Sequence, residues 1–250
     1  MQTHDDSRPV ALITGAARRI GAGIARHLHA AGYDLLLHYR NSDDAMRTLC
    51  ADLQAARADS VHAVAADLAE AQAAKTLVDA AMQRFHRLDA LVNNASAFFA
   101  SPLEDTTAAQ WDTLFAVNAR APFLLCQAAA PALRERCGAI VNLTDLHAAR
   151  PRPDLLAYAA SKAALEALTR GMATTLGPDV RVNAVAPGAI LWPEDESDPA
   201  AREAMLAHTP LGRIGRVEEI AESVRWLLMD AGFVTGQILR VDGGRDAHWA

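Results

Sequence analysis

The sequence predicts a doubly wound α/β fold, with a parallel sheet of about seven strands and helices on both faces. Short apolar runs alternate along the chain with longer segments whose apolar residues recur at helical spacing. The runs are nearly continuous in apolar residues, as in strands that are buried on both faces. About seven strands and six helices in 250 residues leave no room for a second domain, so a single domain over residues 1–250 is expected.

The positions of the elements follow from this alternation. The predicted strands cover residues 9–14, 34–39, 61–65, 88–93, 139–143, 180–185 and 237–241. Between the first two strands, Ile20, Ile24 and Leu28 recur at helical spacing, and Gly32 is placed to end that helix. The other predicted helices cover residues 43–58, 70–86, 106–133, 155–176 and 217–229. Strands and helices in this order are typical of a Rossmann-type domain.

Composition narrows the expected partners and compartment. The net charge is −6 and no block of basic residues occurs, so nucleic acid is not an expected partner. No apolar run approaches the ~18 residues of a membrane span, and the polar tail at residues 1–8 lacks the apolar core of a secretory signal. The three cysteines form no C-x-x-C pair, which indicates reduced thiols in a cytoplasmic protein. No zinc pattern involves a histidine, so no metal site is expected; His27 and His29 are expected on the surface.

A glycine-rich turn follows the first predicted strand. Thr14–Gly23 reads T-G-A-A-R-R-I-G-A-G and leads directly into the first predicted helix. Glycines let the backbone approach a ligand, and the N-terminus of a helix favours anions. The turn therefore predicts a phosphate-binding site, and a plain tight turn is the alternative.

The end of the second predicted strand discriminates between nicotinamide cofactors. An NAD site commonly places an acid there for the ribose 2′-hydroxyl. This chain places there His38, Tyr39, Arg40, Asn41 and Ser42. No acid occurs before Asp43, and a cation with hydroxyl donors suits a 2′-phosphate. We therefore expect NADP(H), with Arg18 as a further cation; the alternative for Arg40 is a solvated loop charge.

Tyr158 and Lys162 are four residues apart on a predicted helix and share one face. The chain has two lysines against 22 arginines, so the choice of lysine here is informative. A nearby ammonium favours the phenolate, so Lys162 is expected to lower the pKa of Tyr158 from about 10 toward neutrality. That would make Tyr158 a proton donor or acceptor. In isolation, the same spacing would more often mark two surface residues.

Several ordered motifs make the chain resemble the short-chain dehydrogenase/reductase family. They are Thr14-Gly15-x-x-x-x-x-Gly21, Asn93-Asn94-Ala95, Asn118, Tyr158-x-x-x-Lys162 and Pro187-Gly188. The match runs from about Val10 to Gly244. The resemblance implies a Rossmann-type NAD(P)-binding domain. It also implies a homotetramer, which the family often forms through the helices at about 106–133 and 155–176.

Three departures from the common family pattern narrow the resemblance. Arg19 stands where many members have glycine, Ser96 and then Phe98 follow the N-N-A motif, and Asp145 stands where most members place a catalytic serine. Together these residues resemble those of the pteridine reductases, including the bacterial dihydromonapterin reductases. In those enzymes they belong to the pterin site.

The resemblance implies roles for individual residues. Lys162 would hold the nicotinamide ribose, Asp145 would orient Tyr158 and the polar edge of the pterin, and Asn118 would support a water path to Lys162. Phe98 would stack on the pterin. Expected catalytic residues are Asp145, Tyr158, Lys162 and Asn118. Expected cofactor contacts are Gly15, Arg18, Arg19, Ile20, His38, Tyr39, Arg40, Asn41, Ser42, Asp67, Leu68, Asn94, Ala95, Ser96, Thr144, Tyr158, Lys162, Pro187, Gly188 and Ala189. Expected substrate contacts are Arg19, Ser96, Phe98, Asp145, Tyr158, Leu191 and Trp192, with a substrate lid at about 190–210.

Each of the substrate-side residues also has a structural alternative. Phe98 could be ordinary loop packing, Asp145 a helix cap or surface acid, and Arg19 a contact to the cofactor alone. With these alternatives, the predicted cofactor site would be the same, but the enzyme would act on a different substrate.

The sequence therefore predicts an NADPH-dependent reductase. Its expected substrate is a dihydropterin such as dihydrobiopterin, dihydromonapterin or dihydrofolate, which it would reduce to the tetrahydro form. One alternative is a short-chain reductase for another carbonyl, such as a 3-oxoacyl thioester; the absence of serine at Asp145 argues against it. The other is a non-catalytic NADP(H)-sensing protein, against which the intact Tyr158–Lys162 pair argues.

Overall fold

The computed structural model describes residues 8–191 and 199–247. In this part of the chain, seven strands form one parallel sheet in the order β3-β2-β1-β4-β5-β6-β7. They are β1 (Val10–Ile13), β2 (Asp34–Tyr39), β3 (Val61–Ala65), β4 (Ala90–Asn93), β5 (Ala139–Leu143), β6 (Arg181–Pro187) and β7 (Ile238–Val241). The predicted doubly wound fold is confirmed. Because the chain reverses direction across the sheet between β1 and β4, a crevice forms at their carboxyl ends.

Helices cover both faces of the sheet. They are α1 (Arg19–Ala30), α2 (Asp43–Ala56), α3 (Ala73–Phe85), α4 (Ala108–Phe115), α5 (Ala121–Glu135), α6 (Leu156–Leu176), α7 (Pro199–Ala207) and α8 (Val217–Met229). The apolar residues of β1 show how the two layers form. Ala11 and Ile13 pack in a core with α1, α2 and α8, and Val10 and Leu12 pack in a core with α3, α5 and α6. Alternate side chains of a strand point to opposite faces, so a continuous apolar run serves both cores.

The structure differs from the predicted elements at two places. The single helix expected at 106–133 is divided by a five-residue π-helix, Ala116–Arg120, which carries Asn118. Short π-helical segments often occur at functional sites. Helix α7 lies within the segment predicted as a substrate lid, for which the sequence predicted no element. Trp192 lies outside the described residues.

The ends of α1 show one correct and one wrong prediction. Gly32 has φ +100° just beyond the helix, which confirms its role in ending it. The expectation that His27 and His29 both lie on the surface is wrong for His29. It is 4% exposed, and its Nε2 hydrogen-bonds with Ser60 Oγ at 2.8 Å. His27 pairs with Glu222 at 2.8 Å.

Among the described helices, none is long and apolar enough to cross a membrane. The described residues also contain no cluster of metal-binding side chains. The cytoplasmic location and the homotetramer stay predictions.

Two glycines outside the crevice give a test of the packing. A Cβ at Gly171, in the exposed middle of α6, would have nothing within 4 Å. Glycine inside a helix costs roughly 0.5–1 kcal/mol relative to alanine, so Gly171→Ala should raise the Tm by about 1–4 °C. Gly138→Ala should lower the Tm, because its Cβ would lie 2.5 Å from Asp89 O and 2.9 Å from Leu133 Cδ2. Thermal unfolding followed by circular dichroism measures both, and a Gly138→Ala protein at least as stable as Gly171→Ala would contradict the packing.

Candidate active site

The glycine-rich turn between β1 and α1 packs tightly against the end of β4. Gly15 has φ +62°, and a Cβ there would lie 2.9 Å from Ala95 Cα. A Cβ at Gly21 would lie 2.1 Å from the carbonyl oxygen of Gly15. The Asn94 side chain donates to the carbonyl oxygens of Thr14 and Gly15 at 2.9 and 3.0 Å. Only glycine fits at these two positions, and the resulting cradle at the N-terminus of α1 suits a phosphate group.

His38, at the end of β2, holds the same turn from the other side. Its Nδ1 accepts a hydrogen bond from Gly15 N at 3.1 Å, and its Nε2 lies 3.1 Å from Ala66 O. Burial lowers the pKa of His38, so the neutral ring carries its proton on Nε2. Both ring nitrogens of His38 therefore bind the backbone. Arg40 and Ser42, also predicted to contact a 2′-phosphate, line the cleft after β2.

A cleft of about 750 Å³ runs along the carboxyl ends of the strands from β3 to β4. Phe98 and Phe99 line it together with many of the predicted cofactor contacts. Those contacts are Gly15, Arg18, Arg19, Ile20, His38, Arg40, Asn41, Ser42, Asp67, Leu68, Asn94, Ala95 and Ser96. Arg18, Arg19 and Arg40 are exposed, so the cleft has cations at its surface. The residues present therefore fit an elongated, phosphate-bearing nucleotide.

Other predicted cofactor contacts have structural roles in the sheet. The hydroxyl of Tyr39 donates to Asp43 at 3.2 Å, and its ring packs against the core on the α1 side. Thr144 is buried and donates to Val185 O at 3.2 Å. The stretch Pro187–Ala189 ends β6, where Gly188 N donates to Val241 O at 3.1 Å. These residues do not line the cleft described above.

Tyr158 and Asp145 form the centre of the site. Tyr158 is 3% exposed, and its hydroxyl donates to Asp145 Oδ2 at 2.7 Å. Asp145 Oδ1 accepts from His147 N at 2.8 Å, at the start of the short 3-10 helix Leu146–Ala148. Asp145 thus caps a helix and also holds the hydroxyl of Tyr158. One helical turn after Tyr158, buried Lys162 donates from Nζ to Leu143 O at 2.9 Å.

The predicted effect of Lys162 on Tyr158 is wrong in this structure. Burial, and then the charge and hydrogen bond of Asp145, raise the pKa of Tyr158 well above its ordinary value. A phenol that donates to a carboxylate is stabilised in its neutral form. The Nζ of Lys162 is 5.9 Å from the centroid of the Tyr158 ring and donates to a carbonyl instead. Burial lowers the pKa of Lys162 to about 8, against the opposing effect of Asp145. Tyr158 is therefore a protonated phenol at neutral pH.

Asn118 in the π-helix connects the loop after β4 to α6. Its Oδ1 accepts from Ala97 N at 2.8 Å and from Ser96 Oγ at 3.1 Å. Its Nδ2 donates to Ala97 O at 3.0 Å and to Ser161 Oγ at 2.9 Å. Asn118 thereby fixes the loop that carries Ser96 and Phe98 relative to Tyr158. The water path from Asn118 to Lys162 stays a prediction.

The side chain of Phe98 stands at the mouth of the site. It is 62% exposed and meets the Tyr158 ring edge-on, with 4.9 Å between centroids and an interplanar angle of 90°. Leu191 is 36% exposed. The exposed ring of Phe98 lies beside Tyr158 and is available to a flat ligand.

Sequence reasoning missed Ser101. It is buried, and its Oγ accepts from Tyr158 N at 3.2 Å, while its backbone bridges to Leu155. Ser101 therefore fixes the start of α6, and no motif or spacing in the sequence marks it.

Comparisons with known proteins agree with this geometry. The model of a family described as enoyl-(acyl carrier protein) reductase matches residues 15–246. A granaticin polyketide synthase protein of Streptomyces violaceoruber, named as a ketoacyl reductase, is 39% identical over 98% of both chains. Pteridine reductase 1 of Leishmania tarentolae is 35% identical and covers 97% of this chain and 98% of its own. The solved structure of a blue fluorescent protein from a metagenomic library, in complex with NADPH, is 36% identical with a TM-score of 0.89, covering 95% of this chain and 97% of its own.

The sheet, the glycine-rich cradle and the Tyr158–Lys162 pair define a nicotinamide-dependent oxidoreductase. The chain belongs to the short-chain dehydrogenase/reductase family, as its motifs predicted. The prediction of NADP(H) agrees with the NADPH held by the solved relative. The relatives include both a ketoacyl reductase and a pteridine reductase, so membership of the family does not identify the substrate.

Replacing the hydroxyl of Tyr158 tests its role as proton donor. Tyr158→Phe keeps the ring and should lower kcat by about 10²–10⁴-fold, the usual range for a positioned acid–base group. NADPH affinity should be nearly unchanged. Because the pKa of Tyr158 is raised, the wild-type phenol stays protonated from neutral pH to its ordinary pKa of 10, so the loss should be similar at pH 7 and pH 9. Steady-state kinetics and NADPH titration measure these effects; near-wild-type rates on every substrate would refute the role.

Proposed function

We propose that the protein is an NADPH-dependent pteridine reductase, which reduces a dihydropterin to its tetrahydro form. The observation that carries this proposal is the carboxylate of Asp145 beside the hydroxyl of Tyr158, at 2.7 Å. A pterin presents ring N–H and amino donors along one edge, and a carboxylate accepts such a pair of hydrogen bonds well.

The same carboxylate disfavours the second candidate, a 3-oxoacyl thioester reductase. The keto oxygen of such a substrate is an acceptor, and an ionised carboxylate offers it no proton. A keto oxygen that took the hydroxyl of Tyr158 would remove it from Asp145, which would keep only the hydrogen bond from His147 N in a half-buried site, and this loss costs free energy. The relative named as a ketoacyl reductase nevertheless makes this candidate the one to test against.

The residues of this chain have separate tasks in the proposed reaction. Bound NADPH supplies the hydride. Tyr158 is the proton donor, and Asp145 orients both its hydroxyl and the donor edge of the substrate. Lys162, fixed by the carbonyl of Leu143, places a cation beside the ribose and the phenol. The ring of Phe98 covers the substrate on the side away from the nicotinamide and excludes water.

A substrate screen tests the proposed function. NADPH oxidation should be fast with dihydrobiopterin, dihydromonapterin or dihydrofolate and slow with a 3-oxoacyl thioester. In Asp145→Ser, pterin turnover should fall while NADPH still binds. The proposal fails if the protein turns over thioesters efficiently and ignores pterins. Tight NADPH binding without oxidation by any substrate would favour the NADP(H)-sensing alternative.

Stacking by Phe98 gives a test on the substrate side. Loss of a stacked ring costs on the order of 1–3 kcal/mol by analogy with bases on aromatic side chains. Phe98→Ala should therefore raise the KM for a dihydropterin by about 5–150-fold. Phe123→Ala is the matched control, since Phe123 is an exposed phenylalanine on α5, 44% exposed. Unchanged pterin kinetics in Phe98→Ala would place the stacking face elsewhere.

The 2′-phosphate contact can be tested independently of the substrate. A charge-assisted hydrogen bond contributes roughly 1.5–3 kcal/mol, so Arg40→Ala should weaken NADPH binding by about 10–150-fold. NADH binding should hardly change. Arg47→Ala removes an equal charge from an exposed side chain that pairs with Asp44 and serves as the control. Equal losses for both cofactors, or a wild-type preference for NADH, would contradict the assignment.

A further inference from the structure

The segment that follows β7 forms a tight turn that its own first residue caps. Gly243 and Gly244 have φ +66° and +86°, which allows the sharp turn. The carboxylate of Asp242 accepts from Gly244 N at 2.9 Å and from Asp246 N at 2.7 Å. A Cβ at Gly243 would lie 2.8 Å from Thr209 Cγ2, so the turn is also packed closely. The backbone of Asp246 is therefore held in place.

Asp246 joins two parts of the chain that are distant in sequence. Its two carboxylate oxygens pair with Arg240 on β7 and with Arg150 in the loop after β5, each at 2.9 Å. The side chain of Asp246 is 22% exposed, so solvent screens these ion pairs less than pairs between fully exposed side chains. Because Arg240 belongs to the sheet, Asp246 links the loop of Arg150 to the end of β7.

The loop of Arg150 begins at Asp145. The ring of His147 donates from Nδ1 to Arg150 O at 3.2 Å, since a carbonyl oxygen only accepts. His147 N donates to Asp145 Oδ1 at 2.8 Å, and Asp145 Oδ2 accepts from the hydroxyl of Tyr158 at 2.7 Å. An unbroken series of contacts thus runs from Asp246 to Tyr158.

The orientation of the Asp145 carboxylate depends on the backbone of this loop. One of its oxygens is held by His147 N, so a shift of the loop moves the other oxygen relative to Tyr158. A hydrogen bond weakens steeply as its geometry departs from the optimum. A misplacement of about 1 Å in a catalytic site can cost on the order of 10²-fold in rate. Whatever holds the loop therefore bears on the proton donor.

We propose that Asp246 is a positioning residue for the proton donor. Through its ion pair with Arg150, Asp246 holds the loop that begins at Asp145 and so keeps the hydroxyl of Tyr158 in its catalytic orientation. Asp246 does not line the cleft, so it acts through Asp145 and not on a ligand. The inference holds for a pterin and for a thioester alike, since either substrate takes its proton from Tyr158.

Kinetics measure the effect on whichever substrate the protein reduces fastest, a dihydropterin or a 3-oxoacyl thioester. In Arg150→Met and in Asp246→Asn, kcat should fall by about 5–100-fold, because the proton donor is misplaced. The KM for NADPH should stay unchanged, since neither residue lines the cleft. Asp246→Glu keeps the charge and should retain most of the activity. The double variant should be no slower than the slower single variant, because both changes break the same pair.

A titration of the Tyr158 hydroxyl tests the inference without turnover. The chain has three tyrosines, so replacing the other two by phenylalanine leaves the ultraviolet absorbance of phenolate as a report on Tyr158 alone. Burial and then Asp145 raise the pKa of Tyr158. Arg150→Met loosens Asp145 and should lower this pKa, by less than Asp145→Ser, which removes the carboxylate. The ammonium of Lys162, which also faces the ring at 5.9 Å, stays in place.

Arg26→Met is the matched control. Arg26 forms an ion pair of similar length with Asp52, at 2.8 Å between α1 and α2, and does not line the cleft. This variant should change neither kcat nor the pKa of Tyr158. Unfolding curves of all variants show whether a loss reflects folding. Arg150→Met, at an exposed side chain, carries the test if Asp246→Asn is unstable.

The outcomes separate this inference from the proposed function. Turnover of thioesters alone would overturn the proposed function, whereas a lower kcat for thioesters in Arg150→Met would still support the inference. If the protein reduces no substrate, the titration of Tyr158 decides. The inference is overturned if Arg150→Met and Asp246→Asn keep the wild-type kcat and the wild-type pKa of Tyr158. It is also overturned if kcat and the KM for NADPH change together while this pKa stays the same, since that would show a general structural role.

Discussion

The position of α6 over β5 is the constraint on which the active site depends. Lys162 donates to the carbonyl of Leu143, and seven residues later Thr169 accepts from the Asn142 side chain at 2.9 Å. Asn142 in turn accepts from Asn93 on β4 at 2.8 Å. This buried polar ladder fixes both the height and the rotation of the helix on the sheet. Buried polar groups are tolerated when they are paired. A shift of α6 by one residue along the sheet would leave several of these groups unpaired.

Proton chemistry in this site follows from where the helix places two side chains. Tyr158 meets the carboxylate of Asp145 and stays a neutral donor, while burial draws the pKa of Lys162 down to about 8. The cation and the acid therefore keep separate partners, a backbone carbonyl and a carboxylate. The phenol of Tyr158 is therefore protonated before any substrate arrives, and the ammonium of Lys162 is held by the carbonyl of Leu143.

The fold could be predicted from the sequence because its signal is repeated along the whole chain. Apolar runs such as Val10–Ile13 are buried on both faces, and the parallel sheet follows from their alternation with helices. The glycine-rich cradle was also predictable, since only glycine fits where a Cβ would meet the backbone. These features depend on local spacing, which the sequence displays directly.

Other features depend on contacts between distant segments, and local spacing does not reveal them. The effect of Asp145 on Tyr158, the commitment of His38 to Gly15 and Ala66, and the anchoring of Tyr158 N by Ser101 all join residues from different elements. The sequence identified Tyr158 and Lys162 as a pair, but the direction of the pKa shift of Tyr158 depends on its burial and on its contact with Asp145. For the same reason, the π-helix around Asn118 was not visible in the helical periodicity.

His38 gives the nucleotide cradle a sensitivity to acid. Its Nδ1 accepts the hydrogen bond of Gly15 N only while the ring is neutral, and burial keeps the pKa of His38 below the ordinary 6.5. A protonated Nδ1 would be a donor facing a second donor, Gly15 N, so this hydrogen bond at the base of the glycine-rich turn would be lost. As the pH falls below 6.5, an unfolded His38 binds a proton that the folded site resists, so acid weakens the folded turn. Acidification would thus weaken the hydrogen bond that holds the glycine-rich turn, and with it the cradle that suits a dinucleotide phosphate.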